Sequence, residues 1–370
     1  MEVGVVDNQY RDLLYKLENE EDNIIVTTML SKDGRGKISE FNRNLILNSS
    51  FKKDTENDNE FKKSANKKSM LSEDERLCVL EFGKPKCFEK NDTVIFAEPN
   101  FKRERIILFG GGHIAIPLVK IAKIAGFYTI VIDDRPSFAN KARFKEADEV
   151  ICDGFENCLE RIHPTESDYF VIITRGHRHD KLCIEQLMKY KESVYTGMIG
   201  SKRRTKIVLE NLEEEGYDKE RLARICTPIG ISIGAATTEE IAVSIMAEII
   251  KRKRLESAEN RLINRSDLEM EVIEKIAENK EPCCIVTIME SQGSVPRNSG
   301  AKMIVYRDGR IFGSIGGGCV EASVVCQARE MIGSGDYRVI PVDLNGEYAM
   351  AEGMVCGGTL KLLLEDAIID

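Results

Sequence analysis

Apolar positions in this chain fall into short strand-like runs divided by helical stretches, and the pattern is clearest between residues 101 and 255. Arg105 to Phe109 reads as a strand, Gly110 to Ala115 opens a helix that runs to Ala125, and Tyr128 to Ile132 is the next strand. Strands follow at Glu149 to Cys152, Tyr169 to Ile173 and Val194 to Gly197, with helices at Asp180 to Tyr190 and Lys202 to Glu215. A last helix starts at Thr237, where Thr237 and Glu240 match a capping box, and Ile241, Ala242, Ile245, Met246, Ile249 and Ile250 give it a wide buried face. Strand–helix alternation of this kind predicts an α/β fold: a Rossmann-like parallel sheet with helices on both faces.

The flanks are patterned differently. Tyr10 to Glu18 predicts a short amphipathic helix, and Ile24 to Met29 and Thr93 to Ala97 predict strands. Residues 51–76 are mostly charged or amide side chains, which cannot bury a core, so a mobile loop is expected there. Ile25-Val26-Thr27-Thr28-Met29-Leu30-Ser31 resembles Ile285-Val286-Thr287-Ile288-Met289-Glu290-Ser291, and Thr93 to Glu98 resembles Thr359 to Leu364 at similar spacing. Two copies of a small α/β module are therefore expected to flank the central domain. The plan is a degenerate module over 1–100, the Rossmann-like domain over 101–255, a linker over 256–268 and an intact module over 269–370. Only the second copy carries glycine–cysteine runs, so the first reads as a scaffold that lost its site.

The first of those runs is Gly313-Ser314-Ile315-Gly316-Gly317-Gly318-Cys319-Val320-Glu321, and helical spacing begins behind it. A glycine loop feeding a helix leaves backbone N–H groups that suit an anion, and the same field favours the thiolate of Cys319. The second run is Gly353-Met354-Val355-Cys356-Gly357-Gly358. Glycines beside both thiols allow a flat or phosphorylated ligand to approach the backbone. In the centre, Gly110-Gly111-Gly112-His113-Ile114-Ala115 after a strand, with Asp133 at the end of the next, is the dinucleotide-binding arrangement. Gly110 makes the turn, Gly112 admits a pyrophosphate, Ala115 allows close packing and Asp133 accepts from a ribose. Arg135 leaves NAD against NADP open. Arg175-Gly176-His177 is read as a loop holding substrate or cofactor oxygens, with metal binding by His177, His179 and Asp180 as the alternative.

Composition narrows the classes. A chain of 370 residues with net charge −9 argues against nonspecific binding to nucleic acid or anionic membranes. No apolar run is long enough to span a bilayer, and no signal peptide is evident, so a cytoplasmic location with reduced cysteines is expected. The eleven cysteines include no C-x-x-C pair, which argues against structural zinc.

Taken together, these motifs resemble the xanthine dehydrogenase accessory factor family of the XdhC/CoxI type. The resemblance is carried by Gly293-Ser294-Val295-Pro296-Arg297 with Gly300-Ala301, by both glycine–cysteine runs, and by Gly110 to Ala115. Val131-Ile132-Asp133, Arg175-Gly176-His177 with Asp180, Ile199-Gly200-Ser201-Lys202 and Ile233-Gly234-Ala235 through Ala242 extend it. It implies a role in maturing a molybdenum hydroxylase. Such proteins hold the molybdenum cofactor (a molybdopterin), present it to a cysteine desulfurase for sulfuration and pass it to the apoenzyme. On that reading Cys319 and Cys356 contact molybdenum or its dithiolene. Gly316, Gly317 and Gly318 cradle the pterin phosphate, beside Gly357 and Gly358. The reading is of a cofactor chaperone and not of xanthine dehydrogenase itself. The intact module follows the Rossmann domain here, whereas the family usually places it first, and this split order suggests a homodimer. Ser232 stands where the family often has Asp. Two alternatives stay open. One is an NAD(P)-dependent oxidoreductase using Gly110, Gly112, Ala115, Asp133 and Arg135, with His177 as acid/base. The other is an interaction scaffold without a small ligand. A nucleotide end of the cofactor could also occupy the Rossmann site.

Overall fold

A computed structural model describes residues 6–19, 23–33, 37–47, 71–255, 266–344 and 358–367. The chain forms two compact units, Met1–Lys102 with Asn260–Asp370, and Arg103–Glu259. In chain order the N-terminal part of the first unit holds helix α1 (Val6–Asn19), strands β1 (Ile24–Lys32) and β2 (Ile38–Leu47), helix α2 (Glu73–Phe82) and strands β3 (Lys86–Lys90) and β4 (Thr93–Asn100). Of the stretch expected to be a polar loop, 51–70 lie outside the described residues and 73–76 are helical. Ser72 and Glu75 form a reciprocal capping box that starts α2, a local signal that outweighs the polar composition. Residues 256–265 of the expected linker also lie outside the described residues.

The second unit begins with β5 (Arg105–Phe109), α3 (Ala115–Ile124), β6 (Tyr128–Asp133), β7 (Glu149–Cys152), α4 (Cys158–Ile162) and β8 (Tyr169–Ile172). It continues with α5 (His177–Leu187), β9 (Tyr195–Met198), α6 (Lys202–Glu214), α7 (Lys219–Ala223) and α8 (Thr238–Arg254). Its strands pair in parallel in the order β7-β6-β5-β8-β9, the doubly wound arrangement. Alternate residues of β5 point to opposite cores. Ile106 and Leu108 pack with α3 and α8, and Ile107 and Phe109 pack with α4, α5 and α6. The capping box at Thr237 and Glu240 is present. Helix α5 starts at His177, ahead of the expected Asp180, because the Gly176 carbonyl already accepts from the His179 and Asp180 N–H groups.

The C-terminal part of the first unit holds α9 (Met270–Glu278), β10 (Cys283–Gly293), β11 (Lys302–Tyr306), β12 (Ile311–Gly313), α10 (Gly318–Met331), β13 (Tyr337–Asp343) and β14 (Gly358–Ala367). Its antiparallel sheet, β12-β11-β10-β14-β13, repeats the N-terminal order β2-β1-β4-β3 with one added edge strand. Each sheet covers its outer face with its own helix, α2 on one and α10 on the other. The inner faces meet each other through Leu30, Val94, Phe96, Met289 and Leu363, while α1 and α9 close a shared core with Ile24, Val26, Cys283 and Ile285.

Between these two apolar zones lies a crossed pair of buried ion pairs. Arg43 on β2 donates to both oxygens of Glu365 on β14, at 3.0 and 2.7 Å, and to Thr28 of its own module at 3.1 Å. Lys302 on β11 donates to Glu98 on β4 at 2.7 Å and to Thr287 of its own module at 3.2 Å. Exposures are 6% for Arg43, 4% for Glu98, 3% for Lys302 and 0% for Glu365. Strand register makes the two sets equivalent. Thr28 faces Arg43 and Thr287 faces Lys302, while Val26 faces Glu98 and Ile285 faces Glu365. The repeat therefore aligns Thr28 with Thr287, one residue away from the alignment that sequence similarity suggests. A one-residue slip exchanges the two faces of a strand, so the partner sheet sets the correct register. Burial alone would lower the Arg43 pKa, and the Glu365 carboxylate more than reverses it. Burial pulls Lys302 down, with Glu98 opposing.

Removing one member strands its partner in the core. Arg43→Met should cost about 3–5 kcal/mol of stability, read as a lower urea midpoint by circular dichroism. Arg43→Met with Glu365→Leu should recover most of the loss, and no recovery would show that the pair is not the source of the cost.

Candidate functional site

The C-terminal module builds its candidate site around the segment 293–298. Gly293 is paired with Gly358 where β10 and β14 meet, and the Leu344 N–H donates to the Gly358 carbonyl at 2.9 Å. A Cβ at Gly358 would stand 2.5 Å from the Gln292 oxygen and 2.7 Å from Val295 Cγ1. A Cβ at Gly316 would stand 2.3 Å from Pro296 Cγ, and Gly316 has φ +131°. One glycine of each run thus packs against the same short segment. That segment is held by Arg297, which donates to Asp267 Oδ2 at 3.0 Å, to the Asp267 carbonyl at 3.0 Å and to Glu269 at 2.9 Å. Cys319 falls in the first turn of α10, as expected, and its side chain lies outside the described residues. Cys356 and Gly357 lie outside them altogether.

The loop before α10 carries an anion of its own. Glu321 accepts from the Gly317 N–H and, at 3.2 Å, from Ser314 Oγ, and the Gly316 N–H donates to Ser314 Oγ at 3.0 Å. The sequence motifs assign Ser314 and Glu321 no role. An acid in the first turn of a helix behind a glycine loop is the signal that could have found them.

In the Rossmann-like unit the expected residues gather at the carboxyl ends of the strands. The Gly110 N–H donates to the Ile132 carbonyl at 2.8 Å, and Ala115 is buried at the start of α3. Two positions need glycine: Gly110, at φ +113°, where a Cβ would lie 2.5 Å from the Ile173 carbonyl oxygen, and Gly111, where it would lie 2.1 Å from the Phe138 carbonyl oxygen; at Gly112 it would meet nothing within 4 Å. Asp133 is 1% exposed and turned inward. It accepts from the Gly111 N–H at 2.9 Å and from Arg135 Nε at 2.8 Å and Nη2 at 2.9 Å. Burial would raise its pKa, but the bonds from Arg135 and Gly111 hold it below the usual carboxylate range. Asp133 and Arg135 are thus engaged with each other, and the carboxylate expected to meet a ribose holds the glycine turn instead. β5 lies between β6 and β8, so the Asp134–Arg175 pair, with Arg175 Nη2 to Asp134 Oδ2 at 2.8 Å, joins the loops on either side of that turn. Hydrogen bonding from Arg175 lowers the Asp134 pKa to about 2.

His177 is the first residue of α5, and its Nδ1 accepts from Arg204 Nε at the start of α6. Arg204 also donates to Asp180 at 3.1 Å. Burial raises the Asp180 pKa, and the bonds from Thr174 and Arg204 oppose it. His179 instead packs edge-on against Phe155. Among the described residues no group of three or more His, Cys, Asp or Glu could hold a metal ion.

Comparison with known proteins fits this geometry. Residues 106–249 match the family model described as the XdhC Rossmann domain, and residues 276–343 match that of the XdhC and CoxI family. The chain belongs to the XdhC and CoxI family. A relative from Bacillus subtilis, named as a probable component of xanthine dehydrogenase, is 35% identical over 44% of this chain and 47% of its own length. The molybdenum cofactor insertion chaperone PaoD of Escherichia coli is 41% identical over 22% of this chain and 25% of its own. The chain thus spans less than half the length of these curated relatives. A crystal structure described as a xanthine dehydrogenase from Bacillus halodurans superposes with a TM-score of 0.50, at 26% identity, over 71% of this chain and 69% of that one.

The matched XdhC and CoxI segment contains the Gly313 to Glu321 run and the whole of residues 293–298. The N-terminal module lies outside both matches. Among the described residues no helix is long and apolar enough to cross a membrane.

Two glycines separate a packing need from an open approach. Gly316→Ala, strained in φ and facing Pro296, should cost about 1–3 kcal/mol, seen as a lower melting temperature. Gly112→Ala should leave the melting temperature unchanged, and equal losses would contradict the open space above Gly112.

Proposed function

We propose that this chain is an accessory factor for a molybdenum hydroxylase of the xanthine dehydrogenase type, and that it binds the molybdenum cofactor as cargo. One observation carries the reading: Gly316 and Gly358, one from each glycine run, pack against neighbouring residues of one segment, at Pro296 and at Val295, within a single module. On this reading both thiols belong to one site. Thiolate ligands suit a soft metal centre, and the glycines beside them leave room for a flat ring system. In this reading Cys319 and Cys356 hold molybdenum or its dithiolene, a cysteine desulfurase sulfurates the cofactor while it is held, and the hydroxylase apoenzyme receives it. The names of the Escherichia coli chaperone and of the Bacillus relative support this direction.

The oxidoreductase alternative has no comparable support, because both oxygens of Asp133 are taken up by Gly111 and Arg135. The homodimer expected from the split module order loses its motive, since the two modules pair within one chain.

The test mixes the purified full chain with free molybdenum cofactor, removes unbound material by size, and measures molybdenum and pterin retained. Near-stoichiometric retention is expected, falling at least tenfold in Cys319→Ser and in Cys356→Ser. Unchanged retention in the double variant would remove the thiols from the site, and no retention by the natural chain would remove the cofactor reading.

A further inference from the structure

Glu321 is 6% exposed and turns back from the first turn of α10 into the loop that precedes it. Its Oε2 takes the Gly317 N–H and the Ser314 hydroxyl, while Ser314 Oγ takes the Gly316 N–H. Two of the donors expected to cradle a phosphate are therefore satisfied inside the chain, one of them by a carboxylate. A phosphate placed there would find these donors taken and a like charge beside it. The second oxygen, Oε1, has no hydrogen-bond partner among the described residues. That oxygen is not sealed inside the protein, so a donor from outside can reach it.

We propose that Glu321 determines which part of the ligand enters the loop at 314–318: an N–H edge, such as the 2-amino and N3–H side of a pterin, and not its phosphate. The inference rests on the cofactor-binding reading above and replaces the phosphate cradle within it. Oε1 accepts the N–H of an amino-amidine edge in a charge-assisted bond, while Oε2 stays anchored to Gly317 and Ser314. Pro296, against which Gly316 packs, lies next to the same loop. The phosphate end of the ligand then points away from the start of α10.

The test compares two probes on the full chain by fluorescence titration: pterin, and the same 4-oxopteridine without its 2-amino group. The natural chain should prefer pterin by about tenfold, and millimolar inorganic phosphate should not displace it. Glu321→Gln should lose most of that preference, since the charge is gone. The probe pair needs no variant, so it decides the matter even if Glu321→Gln fails to fold. Equal affinity for the two probes, no binding of either at millimolar concentration, or displacement by phosphate would overturn the proposal. Retention of intact cofactor, measured on the same preparation, separates the two ideas. Retention without discrimination ends the role of Glu321 and leaves the cofactor site standing, whereas loss of retention ends the site itself.

Discussion

The first unit depends on two ion pairs that cross between its halves. Arg43 and Lys302 each reach over to a glutamate of the other module while holding a threonine of their own. Buried charges are poor sources of net stability, because desolvation consumes most of what pairing returns. Their value here is registry. Two apolar sheet faces can slide on each other with little penalty, but a buried guanidinium must meet its carboxylate. The stacked rings of Phe41 and Tyr337, 3.9 Å apart, mark the same alignment at another strand pair. Reciprocity of this kind is what an interface between two copies would show, with each side offering the other the same groups. In this chain the second copy is supplied by residues 1–102.

That arrangement lets the two halves differ at their strand ends. The N-terminal sheet covers the inner face of the C-terminal sheet, and α10 covers its outer face. The ends of the C-terminal strands carry residues 293–298, the glycine loop before α10 and the start of β14, which are anchored in the core through Val295, Ile315 and Leu360. Arg297 ties the first of these to Asp267 and Glu269. The loop is shaped by Glu321 and Ser314 from within, so its form does not await a ligand. In the Rossmann-like unit the same principle operates on Asp133, whose carboxylate shapes the glycine turn rather than facing outward.

Much of this was legible in the residues. Strand–helix alternation from Arg105 to Arg254 is a short-range pattern, and it specified a parallel sheet because each strand is separated from the next by a crossover. The cap at Thr237, the helix behind Cys319 and the pairing of the two terminal modules as repeats are local or compositional signals of the same kind. Less legible was the direction in which charged groups point. Asp133, Arg135, Arg175 and His177 were each identified as facing a ligand, yet Asp133 closes on Gly111 and Arg135, Arg175 on Asp134, and His177 on Arg204. A carboxylate at a strand end looks the same in sequence whether it meets a ribose or a neighbouring amide.

Periodicity and glycine spacing act over a few residues, and for that reason the family motifs, the central sheet and the existence of a repeated module were all written in the order of residues alone. Packing in three dimensions was needed to align Thr28 with Thr287, to make Arg43 and Lys302 the buried partners of Glu365 and Glu98, and to fill the glycine loop with Glu321. Each of these turns on which groups share a buried space across more than 200 residues of chain or on which way a side chain rotates in a crowded loop. Desolvation makes such choices strict, and desolvation is a property of the packed fold.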